Sequence, residues 1–80
     1  MAETLQELRP GQSGRVTGVS ARRAMGQRLT ELGFTRGSEV RCLYAAALGD
    51  PRAYLVKGAV IALRCEDARQ VRCEKEEAAP

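Results

Sequence analysis

Histidine and tryptophan are both missing from this 80-residue sequence. Histidine is the usual general base near neutral pH and the commonest metal ligand, so this sequence lacks the commonest residue for both roles. The cysteines Cys42, Cys65 and Cys73 are spaced too widely for a Cys-x-x-Cys metal site. The remaining residues offer no nucleophile, base and orienting group in one motif. We therefore expect no catalytic residue, no bound metal and no cofactor.

Long apolar runs are also absent. No segment approaches the roughly 18 apolar residues that a membrane-spanning helix needs, and the first residues, MAETLQELRPG, lack the basic and apolar regions of a secretory signal. We expect a cytoplasmic protein without direct membrane insertion, whose thiols are reduced. Strand parity places Cys42 and Cys73 in the core, and Cys65, at a strand end, is the candidate reactive thiol.

Aromatic residues are scarce, being only Phe34, Tyr44 and Tyr54, whereas the 13 basic residues outnumber the 10 acidic ones. A basic surface attracts RNA, anionic lipid or an acidic protein face. Proteins that bind single-stranded nucleic acid stack bases on exposed rings, but alternation with Val40 and Val56 predicts that both tyrosines face the core. The sequence therefore argues against a nucleic-acid partner.

Apolar periodicity predicts a mainly β fold. About five short strands and one helix in so short a chain favour a small, partly open barrel. We expect a single domain over residues 1–73 and a flexible acidic tail over residues 74–80. The predicted strands cover residues 14–19, 38–45, 53–57, 59–65 and 71–73, with a helical turn at 4–8, a helix at 21–32 ended by Gly33, and a helical turn at 66–70.

The segment ALGDP forms the predicted corner of a hairpin. Gly49 can adopt the positive φ of a tight reversal, Asp50 can bond backbone N–H groups, and Pro51 holds the residue before it extended. Gly58 ends the next strand. These four residues are interpreted as structural turn residues, and Asp50 is not expected to be catalytic.

Two surfaces are candidates for binding a partner protein. With the corner centred on Gly49 and Asp50, Leu43 lies opposite Leu55, and both point outward with Leu48 nearby. Outward apolar residues suit docking against a protein, or self-association. The second candidate is a basic helix face whose guanidinium groups could meet carboxylates. Its residues are Arg22, Arg23 and Gln27.

Four segments together resemble the FeoA family, the small cytosolic accessory proteins of bacterial ferrous iron uptake. They are TLQELRPGQSGRV, RLTELGF-x-x-G-x-EV, ALGDP and KGAVIALR, which follow the family's order and spacing from Thr4 to Val71. The resemblance implies an SH3-like barrel and a non-enzymatic role. It also implies a partner, the cytosolic GTP-binding part of the membrane transporter FeoB.

Two alternative functions stay open at this point. A basic barrel could bind RNA, in which case binding would weaken steeply with salt. The protein could also bind or sense iron directly, although the absent histidines and scattered cysteines do not supply an obvious ligand set.

Overall fold

Six antiparallel strands form one sheet in the computed structural model, which describes residues 3–20 and 23–76. Neighbouring strands follow the order β1-β6-β2-β3-β4-β5. The predicted mainly β class is confirmed; the additional strand is the two-residue β1. The strands are β1 (Glu3–Thr4), β2 (Ser13–Val19), β3 (Glu39–Ala45), β4 (Arg52–Val56), β5 (Ala59–Leu63) and β6 (Val71–Glu76); the helices are α1 (Arg23–Glu31) and α2 (Cys65–Ala68), and Leu5–Glu7 form a 3₁₀ turn.

Helix α1 ends where the sequence predicts. Gly33 has a φ of +115°, and its N–H donates to the Thr30 carbonyl at 3.0 Å. The Phe34 N–H donates to the Leu29 carbonyl at 3.0 Å, which completes the double hydrogen bond of a Schellman motif. Phe34 and Leu29 are fully buried, so this end of the helix is anchored in the core.

The hairpin of β3 and β4 differs from its predicted register. Leu55 pairs with Arg41, and the register shifts between Cys42 and Tyr44, so Leu43 is the extra residue of a β-bulge. The predicted pairing of Leu43 with Leu55 is therefore wrong. The bulge also reverses the alternation beyond Leu43, so Tyr44 is 61% exposed rather than buried.

The predicted turn residues have the following backbone conformations. Gly49 has a φ of +83°, and the Asp50–Pro51 peptide bond is cis. Between β4 and β5, Lys57 and Gly58 have φ values of +49° and +79°. Positive φ at both central residues is typical of the type I′ turn of two-residue hairpins.

The core lies between the sheet, α1 and the first turn. Tyr54 is fully buried, and its hydroxyl donates to the Leu5 carbonyl at 3.1 Å. Cys42 and Cys73 are core residues, as predicted. The other buried members of this cluster are Leu5, Leu8, Val16, Leu29, Phe34, Val40, Val56, Leu63, Ala68 and Val71.

Strand β6 is longer than the sequence predicts. It continues to Glu76, and Glu74, Lys75 and Glu76 pair with Arg15, Gly14 and Ser13 of β2. The predicted boundary after Cys73 is therefore wrong, because the first three residues of the expected flexible tail belong to the sheet. Residues 77–80 lie outside the described residues.

Candidate functional site

The predicted helix surface is described only in part. Arg23 and Gln27 are exposed on α1 and line one shallow depression with Val19. The Gln27 amide donates to the Glu31 carboxylate at 3.3 Å. Arg22 lies outside the described residues.

The predicted hairpin surface is divided by the bulge. Leu48 is 96% exposed beside the corner, whereas Leu43 and Leu55 are half-buried. Leu55 pairs with Val60 of β5, which is 57% exposed. Tyr44, predicted to be buried, instead adds an exposed ring to this hairpin. The hairpin thus presents apolar side chains, but Leu55 lines a different depression from Arg23 and Gln27.

A second depression, about 840 Å³ in volume, lies on the outer face of β3 and β4 and was missed by sequence reasoning. We call it the basic cleft. Its walls come from the turn before β3, from β3 and β4, and from the Lys57–Gly58 turn. The residues that define its chemistry are the cations Arg36, Arg41 and Lys57, the hydroxyls Thr35 and Ser38, the carboxylate Glu39 and the apolar Leu55.

Hydrogen bonds hold the wall of the basic cleft in place. The Lys57 ammonium donates to the Thr35 hydroxyl at 3.2 Å, and that hydroxyl lies 2.8 Å from the Ser38 hydroxyl. The Arg15 guanidinium donates to the Gly37 carbonyl at 2.9 Å. These contacts fix the turn that carries Arg36 relative to the strands.

An acidic pair borders the basic cleft. A side-chain hydrogen bond with Glu76 and the negative charge of Glu76 raise the pKa of Glu39, and the positive charge of Arg15 partly opposes this. Arg15 forms an ion pair with Glu76 at 3.3 Å. The negative charge of Glu76 is therefore already paired with Arg15 within the protein.

The two buried thiols, Cys42 and Cys73, are poorly reactive in this fold. Burial, with smaller contributions from the negative charges of Glu3 and Glu7, raises the pKa of Cys73 to about 11. Burial also raises the pKa of Cys42. Since the thiolate is the nucleophile, neither cysteine is suited to react near neutral pH. Cys65 is half-buried, and its thiol donates to the Gly49 carbonyl at 3.3 Å.

Within residues 3–20 and 23–76, no group of three His, Cys, Asp or Glu side chains is placed to hold a metal ion. Over the same residues, neither helix has the length and apolar character needed to cross a bilayer.

Comparison with known proteins gives the following matches. The model of the FeoA domain matches residues 3–75. Among curated protein sequences, none matches the chain. FeoA from Stenotrophomonas maltophilia, solved with zinc, is 34% identical with a TM-score of 0.84, over 96% of this chain and 99% of that one. That relative is described as an SH3 domain protein with a suggested role in activating ferrous iron transport. The SH3-like fold expected from the sequence is thus confirmed.

Two further solved structures are similar over nearly the whole chain. FeoA from Chlorobium tepidum is 31% identical with a TM-score of 0.87, over 98% of this chain and 74% of that one. An iron uptake regulatory protein, also FeoA, is 26% identical with a TM-score of 0.83, over 95% and 99% of the two chains.

Proposed function

The chain belongs to the FeoA family, and from this premise we propose that it is a non-enzymatic accessory protein that binds the cytosolic GTP-binding part of a FeoB-type transporter. The family consists of small accessory domains and is associated with ferrous iron transport. The FeoA match over residues 3–75 is the observation that carries the proposal. The matched residues include α1 and the hairpin of β3 and β4, which are the elements that carry the candidate contact residues.

Exposed apolar side chains support a binding role. Leu48 and Tyr44 are 96% and 61% exposed near the corner that joins β3 to β4. Such side chains gain free energy when a partner removes them from water, at roughly 25 cal/mol per Å² of apolar surface. Arg23 and Gln27, exposed on α1, offer hydrogen-bond donors to an acidic partner. We propose that the half-buried Leu43 and Leu55 of the same hairpin also contribute contacts.

The test is titration of this protein against the isolated cytosolic domain and the full-length form of its cognate FeoB, by calorimetry. We expect saturable binding to at least one of them. Leu48→Ser should weaken binding, because it removes an apolar side chain from the proposed contact surface. The fold should stay intact, because Leu48 is exposed and contacts little of its own protein. Ala62→Ser, an exposed change on β5 outside the proposed contact residues, is the control. Absence of association with both forms would contradict the proposed function.

A further inference from the structure

The basic cleft contains more positive charge than the protein itself neutralises. Arg36, Arg41 and Lys57 line it, against a single lining carboxylate, Glu39. Among the described residues, the two ion pairs are Arg15–Glu76 and Lys75–Glu3, and neither includes any of the three lining cations. Three cations against one carboxylate, with none of the three in an ion pair among the described residues, create a positive potential that favours an anionic ligand.

The backbone that carries the three cations is fixed before any ligand arrives. Lys57 occupies the first central position of a type I′ turn and is bonded to Thr35. Arg41 lies on β3 between its partners Ser13 and Leu55. Arg36 lies in the turn whose Gly37 carbonyl accepts from Arg15. An ordered backbone favours binding because less conformational freedom is lost when the ligand is bound.

The cleft also has an apolar component. Leu55 lines it, and the cross-strand neighbour of Leu55 on the same outer face is Val60, which is 57% exposed. A phosphate or a nucleic-acid backbone has no apolar group that could pack against Leu55 and Val60. The carboxylate of Glu39, moreover, would repel a densely charged polyanion. A peptide that carries separate carboxylates and an apolar side chain matches both features.

We infer that the basic cleft receives an acidic, extended segment of the partner protein, with carboxylates at Arg36, Arg41 and Lys57 and an apolar side chain on Leu55. The volume of about 840 Å³ accommodates several residues rather than one ion. Arginine suits this role because its guanidinium can bind a carboxylate through two hydrogen bonds. This inference rests on the proposed function for the identity of the partner, whereas the preference for acidic peptide does not depend on it.

The preference is tested with the full chain and the acidic peptide Glu-Ala-Leu-Ala-Glu-Ala-Glu, which carries separate carboxylates and a leucine. Binding is followed by backbone amide NMR. We expect saturable shifts at residues 35–41 and 57–58 that diminish as salt rises, since exposed charge pairs are screened. Inorganic phosphate and a single-stranded oligonucleotide are the competing probes. If the oligonucleotide bound the same residues more tightly than the peptide, or if the peptide gave no saturable shift there, the inference would be wrong.

Charge-neutralising variants locate the site. Arg41→Gln and Lys57→Gln should each raise the dissociation constant for the acidic peptide about three- to tenfold, as expected for cations at a partly exposed site. Arg28→Gln and Arg69→Gln are matched controls, because both arginines are exposed and neither lines the cleft. Equal weakening by the cleft and control variants would show general charge attraction and would overturn the assignment.

The same variants, titrated with the cytosolic domain of the cognate FeoB, separate this inference from the proposed function. Binding that is weakened by Arg41→Gln but not by Arg28→Gln supports both. Binding that responds to neither cleft variant leaves the proposed function standing and overturns the cleft as the contact surface. Absence of binding by the unmodified protein counts against the proposed function and against this partner, while the result with the acidic peptide still decides the chemistry of the cleft.

Discussion

The carboxylate of Asp50 accepts a hydrogen bond from the backbone N–H of Cys65 at 3.0 Å, and the Cys65 thiol donates in return to the carbonyl of Gly49 at 3.3 Å. Cys65 is the first residue of α2, whose own N-cap, Arg64, makes no side-chain capping bond. The corner between β3 and β4 therefore supplies the cap for a helix 15 residues further along the chain. Asp50 is a structural residue, and its partner lies outside the turn in which it occurs.

Asp50→Ala should lower the free energy of unfolding by about 1 kcal/mol, the usual cost of losing a helix-capping side chain. Asp50→Asn keeps an oxygen acceptor and should cost less. Urea denaturation measures both, with Glu66→Ala, an exposed change in the first turn of α2, as the control. A loss for Glu66→Ala as large as that for Asp50→Ala would show that acidic charge near the helix, not this hydrogen bond, is responsible.

Arg52 should be among the least replaceable polar residues of this chain. Its guanidinium donates to the carbonyls of Leu8 at 2.8 Å, Gly49 at 3.2 Å and Gln6, and so joins the first turn to β4 and to the corner. Arg52→Met leaves these carbonyls without their donor, and we expect a loss of about 2–3 kcal/mol in urea denaturation. Arg28→Met, at an exposed position, should change stability by less than about 0.5 kcal/mol. Similar losses for the two variants would contradict this role of Arg52.

The two tyrosines should respond differently to the loss of a hydroxyl group. Tyr54→Phe removes the buried hydrogen bond to the Leu5 carbonyl and should cost about 1 kcal/mol. Tyr44→Phe, at a position 61% exposed, should be neutral within about 0.5 kcal/mol. Thermal unfolding of both variants measures the difference, and equal melting temperatures would count against the burial assigned to Tyr54.

These tyrosines also show how far the sequence predicts the fold. Two-residue alternation correctly placed Val40, Cys42 and Tyr54 in the core, because a strand with one buried face repeats every second residue. It failed at Tyr44, because the bulge at Leu43 inserts one unpaired residue. No glycine or proline marks Leu43, so local sequence gives no warning of the shift.

The basic cleft could not be predicted for a different reason. Its cations come from the turn before β3, from β3 itself and from the Lys57–Gly58 turn, and only the folded sheet brings these segments together. Arg36, Arg41 and Lys57 each have the sequence context of an ordinary surface residue. The helix end at Gly33, by contrast, was predictable because a Schellman motif depends on adjacent residues alone.

Thiol chemistry gives a prediction with a defined pH window. Because the folded protein raises the pKa of Cys73 to about 11, the unfolded chain loses this proton first as the pH rises. The unfolded state then binds fewer protons than the native state. The free energy of unfolding is therefore unaffected by the titration of Cys73 below about pH 8.5 and decreases as the pH rises from there to about 11. The unfolding free energy of Cys73→Ala should fall less steeply over this range. If the pH dependence of the unfolding free energy were the same in Cys73→Ala as in the unmodified protein, groups other than Cys73 would be responsible for it.

The same burial predicts which thiol reacts. Iodoacetamide at pH 8 should modify one cysteine of the folded protein quickly, namely the half-buried Cys65, and all three only in urea. Intact-protein mass spectrometry counts the adducts, and peptide mapping identifies the site. Fast modification of Cys42 or Cys73 without denaturant would contradict the burial of these side chains.

Gly14 of β2 pairs with Lys75 of β6, and its lack of a side chain is a packing requirement. A Cβ atom at this position would lie 3.0 Å from the Glu74 carbonyl oxygen and 3.3 Å from the Cys73 sulfur. The first of these neighbours is backbone and cannot move without disturbing the paired strands, so Gly14→Ala should cost about 1–3 kcal/mol, as overpacking does in a close-packed interior. Gly18→Ala is the matched control in the same strand, because its Cβ would meet only the mobile end of the Arg72 side chain, at 3.5 Å. We expect Gly18→Ala to change the urea midpoint little. If Gly14→Ala were equally well tolerated, then β6 would not be held as closely against β2 as the pairing of residues 13–16 with 73–76 requires.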